Sequence, residues 1–168
     1  MVTPQGLDVR PTSDMAKEAI FSSIQYEIEN SEMLDLFAGS GQMGVEALSR
    51  GAKTVTFIDS DPKAIAAVKT NLKNCGFMEK SRVALMDSIA YIKNCSAKFD
   101  IAFLDPPYGK NLIDEALPFV AQTIKPYGVI ICETEKREEP PAQAGDFEIK
   151  KEYRYGKVKV TVYRRKGE

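Results

Sequence analysis

An aspartate, two prolines and a tyrosine follow one another at the end of an apolar run, Phe103-Leu104-Asp105-Pro106-Pro107-Tyr108. Proline lacks a backbone N–H and holds φ near −65°, so no strand continues through Pro106 and Pro107. The product is a stiff, donor-free corner with a carboxylate before it and a flat ring after it. Earlier in the chain Gly39, Gly41 and Gly44 form GxGxxG, and Asp59 follows Gly39 by 20 residues. Glycines so spaced permit a sharp turn and close ligand approach, and an acid at that distance accepts ribose hydroxyls. Together they indicate a nucleoside cofactor.

The neighbouring charge narrows the choice. A dinucleotide loop holds pyrophosphate at its helix N-terminus, and Asp35, two residues before Phe37, is awkward for that anion. A carboxylate there suits an ammonium or a sulfonium. S-adenosylmethionine carries both cations and an adenosine. Asp87 is then placed to accept from the adenine amino group, to cap the next helix, or to do both. The cofactor-side candidates are Asp35, Phe37, Gly39, Ser40, Gly41, Gly44, Asp59, Ser60, Asp87 and Ser88.

Composition removes other chemistries. The chain has no histidine, which excludes Ser-His-Asp and Cys-His catalysis and any imidazole metal site. Its three cysteines, Cys75, Cys95 and Cys132, are scattered without a CxxC and read as reduced cytoplasmic thiols, not a zinc site. No stretch approaches the roughly 20 apolar residues of a membrane span, and the N-terminus shows no signal-peptide core.

The elements that must position these groups alternate along the chain. Thr12 or Ser13 is expected to cap a helix with Ile20, Ile24 and Ile28 on one face. Strands are expected at 32–37, 54–59, 82–87, 99–105 and 128–134. Helices are expected after the glycine loop, from Pro62 to about Asn74 behind an Asp61 cap, around 88–95, and near 112–124. Residues 136–145 read as a flexible loop. Two alternating runs about Tyr155-Gly156 read as a terminal β-hairpin. The fold class is α/β, a single doubly wound, Rossmann-like domain with a mostly parallel sheet and a C-terminal antiparallel hairpin.

"DLFAGSG", "FIDSDP" and "FLDPPY" together resemble a class I S-adenosylmethionine-dependent methyltransferase that methylates amino groups. "TPQGLDVRPTSDMAKEAIFSSI", "FAGSGQMGVEALSRGA" and "YGKVKVTVYRR" are similar to the opening, cofactor loop and final hairpin of the bacterial RsmD family. The resemblance covers nearly the whole chain. It implies methylation of the exocyclic N2 of a guanine in small-subunit (16S) ribosomal RNA, within a 30S assembly particle in the cytoplasm. It also implies one methyltransferase domain over 1–168, with an N-terminal loop and helix in 1–30, a cofactor and catalytic core in 31–135, and a basic hairpin in 146–165. One departure stands out: family members open with a short basic, glycine-containing segment that helps hold RNA, and none precedes Thr3 here.

Under this resemblance the corner acquires a use. An exocyclic base amine is a poor nucleophile because its lone pair is conjugated into the ring. Asp105 accepts one of its hydrogens and the Pro106 carbonyl the other, with Pro107 fixing that carbonyl in advance. Tyr108 offers a face for a base drawn out of its stack. No cysteine stands beside the prolines, which excludes pyrimidine C5 methylation. The pattern leaves N6-adenine methylation of RNA or DNA open, although a DNA enzyme usually carries an extra target-reading domain. A glutamine-methylating enzyme more often has Asn at position 105, a nicotinamide oxidoreductase conflicts with Asp35, and a bare RNA-binding module leaves Asp59 and Asp105 unexplained.

Charge points to the partner. Residues 150–168 carry eight basic side chains against Glu152 and Glu168, a net +6 that leaves −7 for the rest of a chain whose net is −1. The tail is either a polyanion surface or a solubilising strand. Arg10, Lys157, Lys159 and Arg164 are the candidate RNA contacts. No membrane partner and no metal are expected.

Overall fold

The computed structural model describes residues 14–168. Arg10 and the helix caps expected at Thr12 or Ser13 lie outside the described residues. Five α-helices, one 3-10 turn (Met78–Lys80) and eight strands are described: α1 (Asp14–Ser23), β1 (Glu32–Asp35), α2 (Gln42–Ser49), β2 (Thr54–Asp59), α3 (Pro62–Cys75), β3 (Ser81–Leu85), α4 (Ser88–Lys93), β4 (Phe99–Leu104), α5 (Leu112–Ala121), β5 (Ile124–Glu135), β6 (Gln143–Ala144), β7 (Phe147–Tyr155) and β8 (Val158–Arg165). All strands join one sheet in the order β3-β2-β1-β4-β5-β8-β7-β6. The first five run parallel; β8 then pairs antiparallel with β5, β7 antiparallel with β8, and β6 antiparallel with β7. The expected fold class holds.

The central parallel strands β1 and β4 are buried on both faces, as crossover helices require, whereas the edge strand β3 has no buried residue. Alternate residues feed two cores. Met33, Val55, Ile101 and Ile131 face α1, α2 and α3, whereas Leu34, Ile58, Ala102 and Ile130 face α4 and α5. Helix boundaries follow local chemistry. The Asp61 carboxylate accepts from the Lys63 N–H at 2.7 Å, Pro62 takes the first helical position, and Gly76 ends α3 with φ of 75°.

Several boundaries differ from the sequence reading. Helix α1 stops at Ser23, whose hydroxyl donates to the Ile20 carbonyl at 2.7 Å, and the chain passes into turns. Ile24 and Ile28 remain buried from those turns, so the i, i+4 pattern outlives the helix. Strand β5 starts at Ile124, earlier than residue 128, with a register shift between Phe99 and Ile101 on β4. Residues 136–145 are not a free loop. The Tyr163 hydroxyl donates to the Pro141 carbonyl at 2.7 Å, and Gln143–Ala144 pairs with β7 as β6. Polar and proline-rich composition suggested mobility, but tertiary hydrogen bonds fix the segment. The hairpin turns at Gly156-Lys157, with Gly156 at φ 56°, where the sequence placed it.

No described helix is long and apolar enough to cross a membrane. Among the described residues no cluster of three or more His, Cys, Asp or Glu could hold a metal.

Candidate active site

The strand order reverses direction between β1 and β4, and ligands of open α/β sheets bind at such a point, beyond the strands' carboxyl ends. The sequence-predicted acids cluster there. Asp35 ends β1, Asp59 ends β2, Asp87 follows β3 and Asp105 follows β4. The register sets Asp35 beside Phe57 on one side and Phe103 on the other.

The glycine loop runs from the end of β1 into α2. Gly39 and Gly41 adopt φ of 57° and 81°, a region costly for a residue with a Cβ. Gly44 serves another purpose: a Cβ there would lie 2.3 Å from Phe57 Cε1 and 2.8 Å from Val55 Cγ1. It lets α2 sit directly on β2. The Asp59 carboxylate ties the loop down, accepting from the Gly39 N–H and the Asp61 N–H, each at 2.9 Å. It is half-buried, and each oxygen keeps a second lone pair for a ligand.

Asp35 is the unusual group. It is 1% exposed, and neither carboxylate oxygen has a hydrogen-bond partner among the described residues. Burial pushes its pKa up to about 8; the nearby Gly44 backbone N–H partly offsets the rise without completing a hydrogen bond to either oxygen, and the Asp59 charge adds to it. A buried carboxyl in this condition lacks a cation, and one arriving at the glycine loop would supply it.

The remaining cofactor-side candidates have defined places. The Ser88 hydroxyl donates to the Leu36 carbonyl, bracing the end of β1 against α4. Asp87 is exposed and accepts from the Ala90 N–H at 2.9 Å, so it caps α4. Ser40 is buried, and its carbonyl accepts from Asn71 Nδ2 at 2.9 Å. Phe37 is half-buried and Ser60 exposed.

The corner stands across the switch point. Asp105 and Tyr108 are half-buried, Pro106 is buried and Pro107 exposed. Pro106, Pro107 and Tyr108 wall a cleft of about 180 Å³, completed by Asn111 to Asp114 at the start of α5, Glu133 and Thr134 on β5, and Glu138 to Pro140. The β5 and 138–140 walls were missed from sequence. The available signal was Glu133-Thr134 closing the apolar run "GVIIC", at the same sheet edge as the other acids.

The basic candidates are not brought together. Lys157 is exposed at the hairpin tip. Lys159 is only 3% exposed, opposite Thr134 in the ladder. Arg164 is committed to Glu27, with Nη2 2.8 Å from Oε1 and 3.2 Å from Oε2. The burial of Lys159 was not foreseen from sequence.

Residues 1–164 match the family model described as Conserved hypothetical protein 95, the RsmD family. The chain belongs to this family. A Haemophilus influenzae relative, ribosomal RNA small subunit methyltransferase D, is 37% identical over 161 residues, 92% of this chain and 82% of its own. The protein of the same name from Escherichia coli K12 is 27% identical, covering 98% of this chain and 84% of its own. A solved structure titled a conserved hypothetical protein of Streptococcus pyogenes superposes with a TM-score of 0.83 at 33% identity, over 90% of this chain and 96% of that one. That structure shares the fold whose sheet, in this chain, brings Asp35, Asp59 and Asp105 to one edge.

Proposed function

We propose that the protein transfers a methyl group from S-adenosylmethionine to the exocyclic N2 of a guanine in small-subunit ribosomal RNA. One observation carries the reading. Pairing of β1 with β4 sets Asp35 opposite Phe103, two residues from Asp105, so a carboxyl lacking a cation adjoins the corner that can take up an amine. The relatives named for ribosomal RNA methylation support the substrate class.

The residues present fit the cofactor. Asp35 would face its ammonium, Asp59 its ribose hydroxyls, and the backbone from Gly39 to Gly41 its chain, with Asp87 beside the adenine edge. Bound there, S-adenosylmethionine supplies a methyl group activated by a sulfonium leaving group. Everything else is the work of this chain. Asp105 accepts one N2 hydrogen and the Pro106 carbonyl the other, which lets the nitrogen pyramidalise and its lone pair leave conjugation. The two prolines hold that carbonyl before the base arrives, so no reorganisation is needed. Tyr108 stacks on the extruded base, a contact worth about 1–3 kcal/mol. Asp105, its pairing with the amine complete, is the local sink for the proton the product nitrogen must lose.

The substrate is a ribosomal particle during assembly, which places the enzyme in the bacterial cytoplasm. Two assays test the reading together. Purified protein should gain melting temperature with S-adenosylhomocysteine and not with NADH, and should label small-subunit particles from cells lacking this activity with a tritiated methyl group. Stabilisation by NADH alone, or label confined to protein, would replace it.

A further inference from the structure

The cleft beside Pro106 and Tyr108 holds two polar groups that the chemistry above does not use. Thr134 is 2% exposed, and its Oγ1 has no hydrogen-bond partner among the described residues. Glu138 reaches the same cleft, with Oε1 buried and likewise unpartnered. Native proteins seldom bury such atoms unsatisfied, because the lost hydration is not returned. Both sit on fixed backbone. Thr134 lies within β5, and the Glu138 N–H donates to the Glu135 carbonyl at 3.0 Å in the turn that leaves the strand. Lys136, next along, donates its N–H to the Lys157 carbonyl at 2.7 Å, pinning that turn to the hairpin. The wall is therefore built before any ligand enters. Its character is acidic, since Asp114 and Glu139 line the same space.

We propose that Glu138 and Thr134 read the Watson–Crick edge of the target base and select guanine, an inference that rests on the guanine-N2 reading of this site. On guanine, N2–H is flanked by N1–H, a second donor, and beyond it lies O6, an acceptor. With N2 held at Asp105 and Pro106, the Glu138 carboxylate accepts from N1–H and the Thr134 hydroxyl donates to O6. Adenine presents a bare N1 lone pair beside its amine, which a carboxylate repels. Bases taken out of the helix are read in this way by hydrogen bonds to that edge. A site built to hydrogen-bond its substrate rejects the analogue that cannot respond, because its own buried groups are then left unpaired. Glu138 and Thr134 are thus specificity-determining residues, distinct from the corner that activates the amine.

The test replaces the target guanosine in reconstituted small-subunit particles with 2-aminopurine, which keeps the 2-amino group but lacks N1–H and O6. The wild type should favour guanine by about 100-fold or more in kcat/KM. In Glu138→Gln the amide can donate to the bare N1, so the preference should shrink by about tenfold or more, with S-adenosylhomocysteine affinity unchanged. Thr134→Val should slow guanine methylation and leave 2-aminopurine methylation as it was. A wild type that uses both bases alike, or a Glu138→Gln that loses both in equal proportion, overturns the inference. If N2-methylguanosine still forms in that case, the proposed function survives; if the wild type methylates adenine instead, both readings fall.

Discussion

At the scale of residues, carboxylates in different surroundings have different tasks. Asp59 is half-buried and already holds two backbone N–H groups. Asp59→Ala should weaken S-adenosylmethionine binding about tenfold or more by calorimetry, the loss expected for a charge-assisted hydrogen bond. Asp105→Ala should leave that affinity nearly intact and lower methyl transfer by about 100-fold or more. Tyr108→Phe should be mild and Tyr108→Ala severe in RNA capture, because stacking uses the ring. Asp35 makes a pH prediction. Its pKa is raised by burial to about 8 in the free protein, so between about 4 and about 8 the folded state binds a proton that the unfolded state has released. Stability without ligand should therefore fall as pH rises through that window. A cation stabilises the ionised form, so cofactor binding near neutral pH should release a proton, seen as a binding heat that depends on the buffer. Asp35→Asn should abolish both effects; a buffer-dependent heat that persists would assign the proton elsewhere. These acids were legible in the sequence because each ends a strand, but their burial was not, since exposure depends on neighbours far along the chain.

At the scale of elements, the glycine loop is a packing device as well as the proposed ligand cradle. Gly44→Ala would set a methyl group into the Phe57 ring, and the overpacking should cost about 1–3 kcal/mol in urea denaturation. If the variant is as stable as the parent, α2 can shift and the close packing is not required. Arg164→Ala should be mild, about 1 kcal/mol at most, because its pair with Glu27 is partly exposed to water. The elements with strong local signals were read correctly: β2 from its β-branched run, α3 from Asp61, Pro62 and Gly76, the hairpin from Gly156. Those fixed by tertiary contacts were not. Helix α1 ends early although Ile24 and Ile28 keep helical spacing, and the 136–145 segment is held by Tyr163 and β7, which no local pattern reveals. The cleft escaped notice for the same reason, since its walls come from four separate stretches of chain.

At the scale of the molecule, net charge hides a polarity with a spatial meaning. Val158 pairs with Glu135, so the hairpin tip stands at the sheet edge that carries Asp35, Asp59 and Asp105, where Lys136, Arg137 and Lys157 are all exposed. Lys159 and Arg164, equally basic in sequence, are withdrawn by burial and by Glu27. Replacing Lys136, Arg137 and Lys157 with Ala should weaken RNA binding and flatten its salt dependence by about two to three units of slope, with cofactor affinity unchanged. An unaltered slope would make the tip a solvated face. On the proposed function, the acidic cleft and the basic tip would divide the labour: phosphates would position the RNA from outside, and the base would be read within.

The central claim is methyl transfer to guanine N2, and nucleoside mass spectrometry tests it most directly. Small-subunit RNA is incubated in its particle with the protein and S-adenosylmethionine carrying a deuterated methyl group, then digested and separated. The labelled product should be N2-methylguanosine, and it should vanish with Asp105→Ala. Label recovered as N6-methyladenosine, or no labelled nucleoside from any ribosomal particle, would contradict the account.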